Sequence, residues 1–406
     1  MLSLKLAFRN LFRNTRRTLL TSLLVSSSLI VLILVDGLVL GMVDVMEGGI
    51  TRTLEGEAQV LRKGFRNNFD AEYTLDDPDQ IIAIIKKDES VEGYAPRVIV
   101  GAMVASSYNT TGGMIYGVDP DLELKVSRLS EAIFEGTNLS GQDRELVMGK
   151  HMADLLEVEL GDRIVLTAAT VDNNDISQDL FRLSGVFEFG PEEIDKNLIF
   201  INLKQAQRFL GMQGKLHQIA IRFNDPELSK NPELPLFQAL TNDRVEALGW
   251  LELKPAIGSI IALSGFTTTI VGAVLFLLTS LGVVNSMFMS IYERIYEFGV
   301  AKAIGTRPMD LIRLVMFEAL LLAMLSCIIG IIVGFFLSDY FSTNGIPMGK
   351  MEVSGIVIDG NMYTRVAAYQ FINFPIYITL LTLAAAVYPA IFASRIVPTQ
   401  ALQRAL

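Results

Sequence analysis

The chain has 406 residues, of which 51% are hydrophobic and 19% are charged, with a net charge of −10 and a mean hydropathy of +0.41. This composition is too apolar for an ordinary soluble protein and too charged for a chain that lies wholly in lipid. One cysteine and two distant histidines exclude an intramolecular disulfide and argue against a histidine-rich metal site.

Residues 1–17 are predicted to form an amphipathic helix at the cytoplasmic face of a membrane. Leu4 and Phe8 fall on one side at helical spacing, and Arg9 and Arg13 fall on another. The alternative is a charged flank that only orients the span that follows.

The first membrane span is predicted over residues 18–41, because residues 18–35 are uncharged. No small-x-small cleavage site follows this run, which favours an uncleaved anchor over a signal peptide. Gly37 and Gly41 form a Gly-x-x-x-Gly pair, as do Gly330 and Gly334 in the third span. Such pairs favour close helix packing.

An acidic, extracytoplasmic α+β domain is predicted over residues 42–255. Residues 41–258 contain 36 acidic and 21 basic residues, a net charge of −15. Strands are expected at 57–62, 98–106, 163–167, 181–187, 197–202 and 217–223, and helices at 79–87, 149–156 and 203–210. A polar tip at 171–179 between two of these strands indicates a hairpin.

The second span is predicted over residues 256–291, within an uncharged run of 37 residues. A continuous helix of this length reaches about 55 Å, whereas the bilayer core is about 30 Å thick. The surplus therefore predicts a stalk toward the acidic domain, unless Gly258 and Gly265 break the helix.

A charged loop, residues 292–311, lies between the second span and a third at 312–338. Residues 293–304 are predicted to form a docking helix that Gly305 and Pro308 end. Glu318 lies about one turn inside the third span. A carboxylate there is either functional or a structural partner in a helix contact.

The chain is then predicted to continue through an outer loop at 339–373, a fourth span at 374–394 and a tail at 395–406. The segments assigned to the cytoplasm, together with Arg313 just beyond the loop, carry 11 basic and three acidic residues. The positive-inside rule therefore places both termini and the 292–311 loop in the cytoplasm. The predicted fold is an α-helical membrane protein with four spans and a large α+β domain between the first two.

Familiar catalytic motifs are absent from the sequence. There is no Walker A loop, no Gly-x-Ser-x-Gly and no His-Glu-x-x-His. The spans also lack the polar midplane groups of a secondary transporter. The chain is therefore expected to bind no cofactor and to have no ATPase site of its own.

Three stretches carry a resemblance to a known family. Residues 289–307, MSIYERIYEFGVAKAIGTR, resemble the inter-span loop of FtsX-like permeases from ABC transporters of the MacB and lipoprotein-releasing (LolC/LolE) types. Residues 6–20 and 388–402 are similar to the two ends of such permeases. The phrases GEAQV at 56–60, GVDP at 117–120 and MGKHMADLL at 148–156 lean toward the lipoprotein-releasing branch.

The resemblance implies a multi-pass permease of the bacterial inner membrane that works by mechanotransmission. Its partners would be a cytoplasmic ATPase dimer carrying ATP and Mg, a second permease as homo- or heterodimer, and membrane lipids, with no nucleic acid. The residues that would meet the ATPase are Glu293, Arg294, Glu297, Phe298, Gly299, Lys302 and Gly305.

The resemblance also implies extraction of a lipoprotein or another amphiphilic substrate from the outer leaflet, followed by its transfer to a periplasmic carrier. The candidate carrier hairpin is short and acidic, and comprises Val171, Asp172, Asn173, Asn174 and Asp175. Two alternatives remain: MacB-like export of periplasmic small molecules or peptides, and an FtsX-like transmitter of signals that transports nothing.

Overall fold

The computed structural model describes residues 2–171, 175–190, 192–347, 349, 351–353, 356–358 and 361–398. The chain divides into two units. The helical unit comprises Met1–Val43, Ile261–Met348 and Gly360–Leu406, and the sheet unit comprises Asp44–Ile260 and Gly349–Asp359.

Six helices belong wholly or largely to the helical unit. They are α1 (Leu2–Arg13), α2 (Thr15–Ile50), α11 (Pro255–Glu293), α12 (Ile295–Ala303), α13 (Pro308–Asn344) and α14 (Gln370–Ser394). Within the described residues, α2, α11, α13 and α14 are long and apolar enough to cross a membrane. Two short strands, β11 (Ile346–Pro347) and β14 (Asn361–Met362), pair between α13 and α14.

Helix α11 runs for 39 residues without interruption, so neither Gly258 nor Gly265 breaks it. Both α11 and α2, which has 36 residues, exceed the about 20 residues that a bilayer core requires.

The sheet unit contains the remaining elements. Its helices are α3 (Phe65–Asn68), α4 (Pro78–Ile85), α5 (Pro120–Glu123), α6 (Lys150–Leu156), α7 (Glu192–Asn197), α8 (Leu203–Phe209), α9 (Pro235–Leu240) and α10 (Trp250–Leu253). Its strands are β1 (Ala58–Arg62), β2 (Val91–Ala105), β3 (Thr110–Val118), β4 (Ile133–Gly136), β5 (Glu145–Gly149), β6 (Arg163–Ala169), β7 (Ile176–Phe187), β8 (Leu198–Asn202), β9 (Gln218–Phe223), β10 (Val245–Gly249), β12 (Met351–Val353) and β13 (Ile356–Ile358).

The main sheet closes into a ring. Its order is β10-β1-β9-β2-β3-β8-β5-β7-β4, and β6 pairs with both β2 and β7. The 15-residue strand β2 makes this closure possible, because residues 91–97 pair with β9 and residues 103–105 pair with β6. The strands β2, β3, β8, β5, β7 and β6 therefore form a six-stranded ring. Apolar side chains of these strands, such as Val104, Leu166 and Phe181, belong to one buried cluster.

Two contacts hold local elements against this ring. Helix α8 packs on β3 at Gly117, where an added Cβ would lie 2.3 Å from Cβ of Ala206. Arg97 on β2 is fully buried, donates to both carboxylate oxygens of Glu123 at 2.6 and 3.0 Å, and donates to the Leu54 carbonyl at 2.6 Å.

The predicted hairpin at 171–179 differs from the observed one. Strand β7 begins at Ile176, which pairs with Ala169 of β6. The polar residues 177–179 therefore belong to the strand and not to the tip of the hairpin. Alternation of exposed and half-buried positions at the start of β7 explains this, because one face of that strand is open to solvent.

Candidate coupling site around the loop after the second long helix

Helix α12 is a separate nine-residue helix between α11 and α13. Arg294 breaks the helical path with φ −111° and ψ 16°, so α12 begins at Ile295 and not at the predicted position 293. Gly305 ends it with a φ of +99°, a conformation that favours glycine. The amide of Thr306 donates to the carbonyl of Ala301 at 3.0 Å and closes the last turn.

Arg294 is the anchor of this loop. It is 9% exposed, donates from Nη1 to Oε1 of Glu318 at 2.7 Å, and donates from Nε to Oε2 of Glu297 at 3.1 Å. Its guanidinium also lies 5.1 Å from the ring centroid of Phe298. Burial alone would lower the pKa of Arg294, but the carboxylates of Glu318 and Glu297 raise it above the ordinary value. The side chain is therefore permanently charged, and it joins α12 to α13.

Glu318 has a second partner from the start of the chain. Nδ2 of Asn10 on α1 donates to the same Oε1 atom at 2.7 Å. Glu318 thus joins α1, α12 and α13 at one carboxylate.

The two loop carboxylates bind α1 and the start of α2. Nη2 of Arg13 lies 2.7 Å from Oε1 of Glu297. Glu293 accepts hydrogen bonds from Nδ2 of Asn14 at 3.0 Å and from Arg17. Burial raises the pKa of Glu297, but the hydrogen bonds from Arg13 and Arg294 outweigh burial and hold the pKa below its ordinary value of 4.5. Each exposed pair contributes little alone, yet together they fix the loop at several points.

Lys302 connects the far end of α12 to α14. Its Nζ donates to the carbonyl oxygens of Ser394 at 2.9 Å and Ile396 at 2.8 Å. Carbonyls at the end of a helix lack intrahelical partners, and a lysine satisfies them while complementing the helix dipole. The loop is consequently fastened to α1, α13 and α14.

The seven predicted coupling residues do not share one face. Arg294, Phe298 and Gly299 are buried and Lys302 is half-buried, whereas Glu293, Glu297 and Gly305 are exposed. The buried residues hold the loop in place and are not available to a separate protein.

Three large apolar side chains of the loop are also exposed. Ile304 is 80% exposed, Met309 55% and Tyr296 49%. Sequence reasoning did not select these residues, although Tyr296 lies half a turn away from the buried Phe298, which is the signal a helical period would have given. These exposed side chains, and not the buried Arg294 and Phe298, are accessible to another protein.

Helix α2 contacts both α11 and α13. Gly330 and Gly334 on α13 face Leu29 and Ile33 of α2, with an added Cβ meeting them at 2.7 and 3.0 Å. Gly37 and Gly41 instead face the backbone of residues 363–365, where an added Cβ on Gly41 would overlap the carbonyl of Tyr363. Gly41 therefore packs against the backbone before α14 and not against a helix, whereas an added Cβ on Gly37 would also lie 3.4 Å from Oγ of Ser338 on α13.

Hydroxyl pairs add polar contacts along α2. Oγ1 of Thr21 lies 2.5 Å from Oγ of Ser286, Thr279 donates to Ser28 at 2.7 Å, and Ser326 donates to Ser22 at 3.1 Å. These pairs join α2 to α11 and α13.

The candidate carrier hairpin is only partly visible. Asp172, Asn173 and Asn174 lie outside the described residues. Val171 packs against the core, and its amide donates to the Leu210 carbonyl at 3.1 Å. Asp175 is exposed, and its carbonyl accepts from the amide of Thr170 at 2.8 Å. No group of three metal-ligating side chains occurs within the part of the chain that the structure describes.

Two family models match the chain. The MacB-like periplasmic core domain matches residues 18–231, and the FtsX-like permease C-terminal model matches residues 269–398.

Two relatives match this chain over about four fifths of its length, and one solved structure matches half of it. The lipoprotein-releasing system transmembrane protein LolC of Xylella fastidiosa is 24% identical over 371 residues, covering 81% of this chain and 82% of that protein. LolE of Haemophilus influenzae is 22% identical over 332 residues, covering 78% of this chain and 79% of that protein. The crystal structure of the periplasmic region of MacB from Actinobacillus actinomycetemcomitans matches with a TM-score of 0.36 and 11% identity, covering 50% of this chain and 92% of that one.

Proposed function

The chain belongs to the family of ABC transporter permeases that combine a MacB-like periplasmic core domain with an FtsX-like C-terminal region, and we propose that it drives extraction of a lipidated substrate from the membrane. Permeases of this family work with an ATPase and a second permease. In this proposal ATP and Mg bind the partner ATPase, and the loop at 292–311 and both termini lie in the cytoplasm.

The observation that carries the proposal is the attachment of α12. Arg294, Glu297 and Lys302 bind side chains or carbonyls of α13, α1 and α14. A displacement of α12 by an ATPase would therefore move several helices together, because no single flexible link can absorb it. The long helices α2 and α11 would carry this motion away from the loop.

The nature of the substrate is supported by the relatives. LolC and LolE, whose names assign them to lipoprotein release, match about four fifths of this chain and of their own lengths. A lipoprotein in the outer leaflet of the inner membrane is therefore the proposed substrate, with a periplasmic carrier as its acceptor.

Reconstitution tests this proposal. The permease and its ATPase are placed in proteoliposomes with a triacylated, fluorescent lipoprotein, and release into the supernatant is measured with ATP. The matched control is the same polypeptide without its acyl chains. ATP-dependent release of the acylated form alone is expected.

Equal movement of both forms would instead indicate MacB-like export of periplasmic peptides, which the match to the MacB-like core domain favours as the second candidate. ATP hydrolysis with movement of neither form would contradict both transport functions.

A further inference from the structure

An apolar groove lies on the outside of the helical unit between α2 and α13. It encloses about 250 Å³ and is lined by Leu19, Leu23, Leu325 and Ile329, with Thr15 and Thr18 at one end. Leu19 and Leu23 are 59% and 51% exposed, so the groove is open along its length. A cavity of about 150 Å³ already holds a benzene ring, and this one has room for a segment of a hydrocarbon chain.

The depth of the groove suits one leaflet of a bilayer. Thr15 is the first residue of α2, directly after the basic helix α1. From there Leu19 lies about 6 Å and Leu23 about 12 Å along the helix axis, at 1.5 Å per residue. The groove therefore begins at the expected level of the lipid headgroups and continues into the hydrocarbon.

An exposed arginine, Arg16, follows Thr15 at one end of the groove. Of the arginines near it, Arg13 binds Glu297 and Arg17 binds Glu293. Arg16 is exposed and takes part in none of the ion pairs among the residues that the structure describes. Its guanidinium can therefore bind a phosphate in the bidentate geometry that arginine favours.

We propose that this groove binds an anionic phospholipid of the leaflet on the loop side, with its phosphate on Arg16 and one acyl chain along Leu19, Leu23, Leu325 and Ile329. This site is separate from the extraction of substrate from the opposite leaflet. The lipid would lie one residue from Arg17, which holds Glu293 of the loop, so its binding would stabilise the attachment of α12.

A second permease is the competing occupant, and α11 suits it better. Helix α11 presents a long row of exposed apolar side chains, namely Leu263, Phe266, Ile270, Leu277 and Leu281, and no unpaired cation lies along that row in the sequence from 256 to 291. The groove differs because it combines an apolar channel with a cation at its end. This charge complementarity selects a lipid with a negative headgroup.

Photolabelling of the intact complex tests the proposal. The permease with its ATPase is placed in nanodiscs of phosphatidylcholine that contain a phosphatidylglycerol with a diazirine in its acyl chain. After irradiation, labelled peptides are identified by mass spectrometry. Labelling of residues 19–23 and 325–329 is expected, with competition by unlabelled phosphatidylglycerol and not by additional phosphatidylcholine.

Two variants separate the headgroup from the chain. Arg16→Gln should reduce labelling about fivefold, which is the effect of one arginine at an anionic surface, whereas Arg313→Gln, also exposed, should not. Leu23→Trp should block the groove, whereas Ile376→Trp on α14 should not.

Two results would overturn the proposal. One is equal labelling by a diazirine phosphatidylcholine, which indicates ordinary surrounding lipid. The other is a disulfide between two permeases carrying Leu23→Cys in a Cys327→Ser background, which shows that protein covers the groove.

Discussion

Glu318 is a carboxylate inside a long apolar helix that is bound by one cation and one neutral amide from other parts of the chain. Arg294 and Asn10 both donate to its Oε1 atom at 2.7 Å. Of the two interpretations open from the sequence, these contacts support the structural one. Removal of either partner would leave the other charge buried without compensation.

A double-mutant cycle measures this pair. Arg294→Met or Glu318→Gln alone should each destabilise the complex, and the double variant should recover part of the loss, with a coupling of about 1–3 kcal/mol. Thermal unfolding in detergent gives the values. Strictly additive effects would mean that the pair does not stabilise the protein, and Arg313→Met, a change of an exposed arginine, serves as the control.

His217 gives the sheet unit a dependence on pH. Its Nδ1 accepts from the amide of Ile99 at 2.9 Å, so the Nε2 proton donates to the carbonyl of Ala71 at 2.9 Å. The ring stacks on Phe65 at 5.0 Å. Burial lowers the pKa of His217 below its ordinary value of 6.5, despite the opposing hydrogen bond to Ala71.

Because the folded pKa lies below the unfolded one, the unfolded state binds more protons as the pH falls through 6.5. The contribution of the neutral His217 to the free energy of unfolding is therefore fully present above pH 6.5 and is lost as the pH falls below it. The melting temperature measured from pH 7.5 to 5 should show this loss, and His217→Gln should flatten it. His151→Gln, at an exposed histidine, should leave the loss unchanged, and an identical slope in both variants would contradict the assignment.

At the scale of elements, α12 has one face that holds it and one that is free. Phe298 and Arg294 face inward, and Ile304 and Tyr296 face outward. Attachment of the loop and docking of an ATPase should therefore be separable by mutation.

Ile304→Asp should weaken association with the ATPase about tenfold or more, because burial of an isoleucine stabilises a complex by about 1.5–3 kcal/mol. Lys302→Met should leave association unchanged and reduce transport, since it breaks only the link to α14. Copurification and substrate release measure the two effects, with Ile304→Leu and Lys302→Arg as controls. Loss of association in Lys302→Met and not in Ile304→Asp would reverse the assignment of the two faces.

Strands with a clear local signal could be predicted from the sequence, and the closure of the sheet could not. The expected strands at 57–62, 163–167 and 197–202 are confirmed by β1, β6 and β8. The first half of β2 was missed because Gly93 and Pro96 are unfavourable in strands. Most of β3 has the same difficulty, with Gly112, Gly113 and Gly117 among its residues. In both strands the neighbouring strands override the local preference.

The position of the helix between the second and third long helices was predictable, and its orientation was not. A charged, helix-forming stretch between two apolar runs located α12. Arg294 is held inward by Glu318, which lies 24 positions later and itself accepts a hydrogen bond from Asn10, 308 positions away. Periodicity within nine residues cannot reveal a contact over 300 positions.

For the whole molecule, the continuity of α11 is the feature on which transmission depends. Ala262→Pro would remove the hydrogen bond to the carbonyl of Gly258 and kink the helix, at a cost of about 3 kcal/mol or more. Ala262→Ser keeps the helix. Copurification of the ATPase and its ATP hydrolysis should persist in both variants, and substrate release should fail only with proline. Normal release by Ala262→Pro would exclude α11 as the route of transmission.

The ring formed by β2, β3, β8, β5, β7 and β6 limits strand pairing between neighbouring copies of the protein. In the residues that the structure describes, the main sheet ends only at β4 and β10, of four and five residues. Short edge strands expose few unpaired backbone N–H and C=O groups to which another chain could pair. Neighbouring copies of the protein are therefore not expected to exchange strands, and contacts between them would be made by side chains.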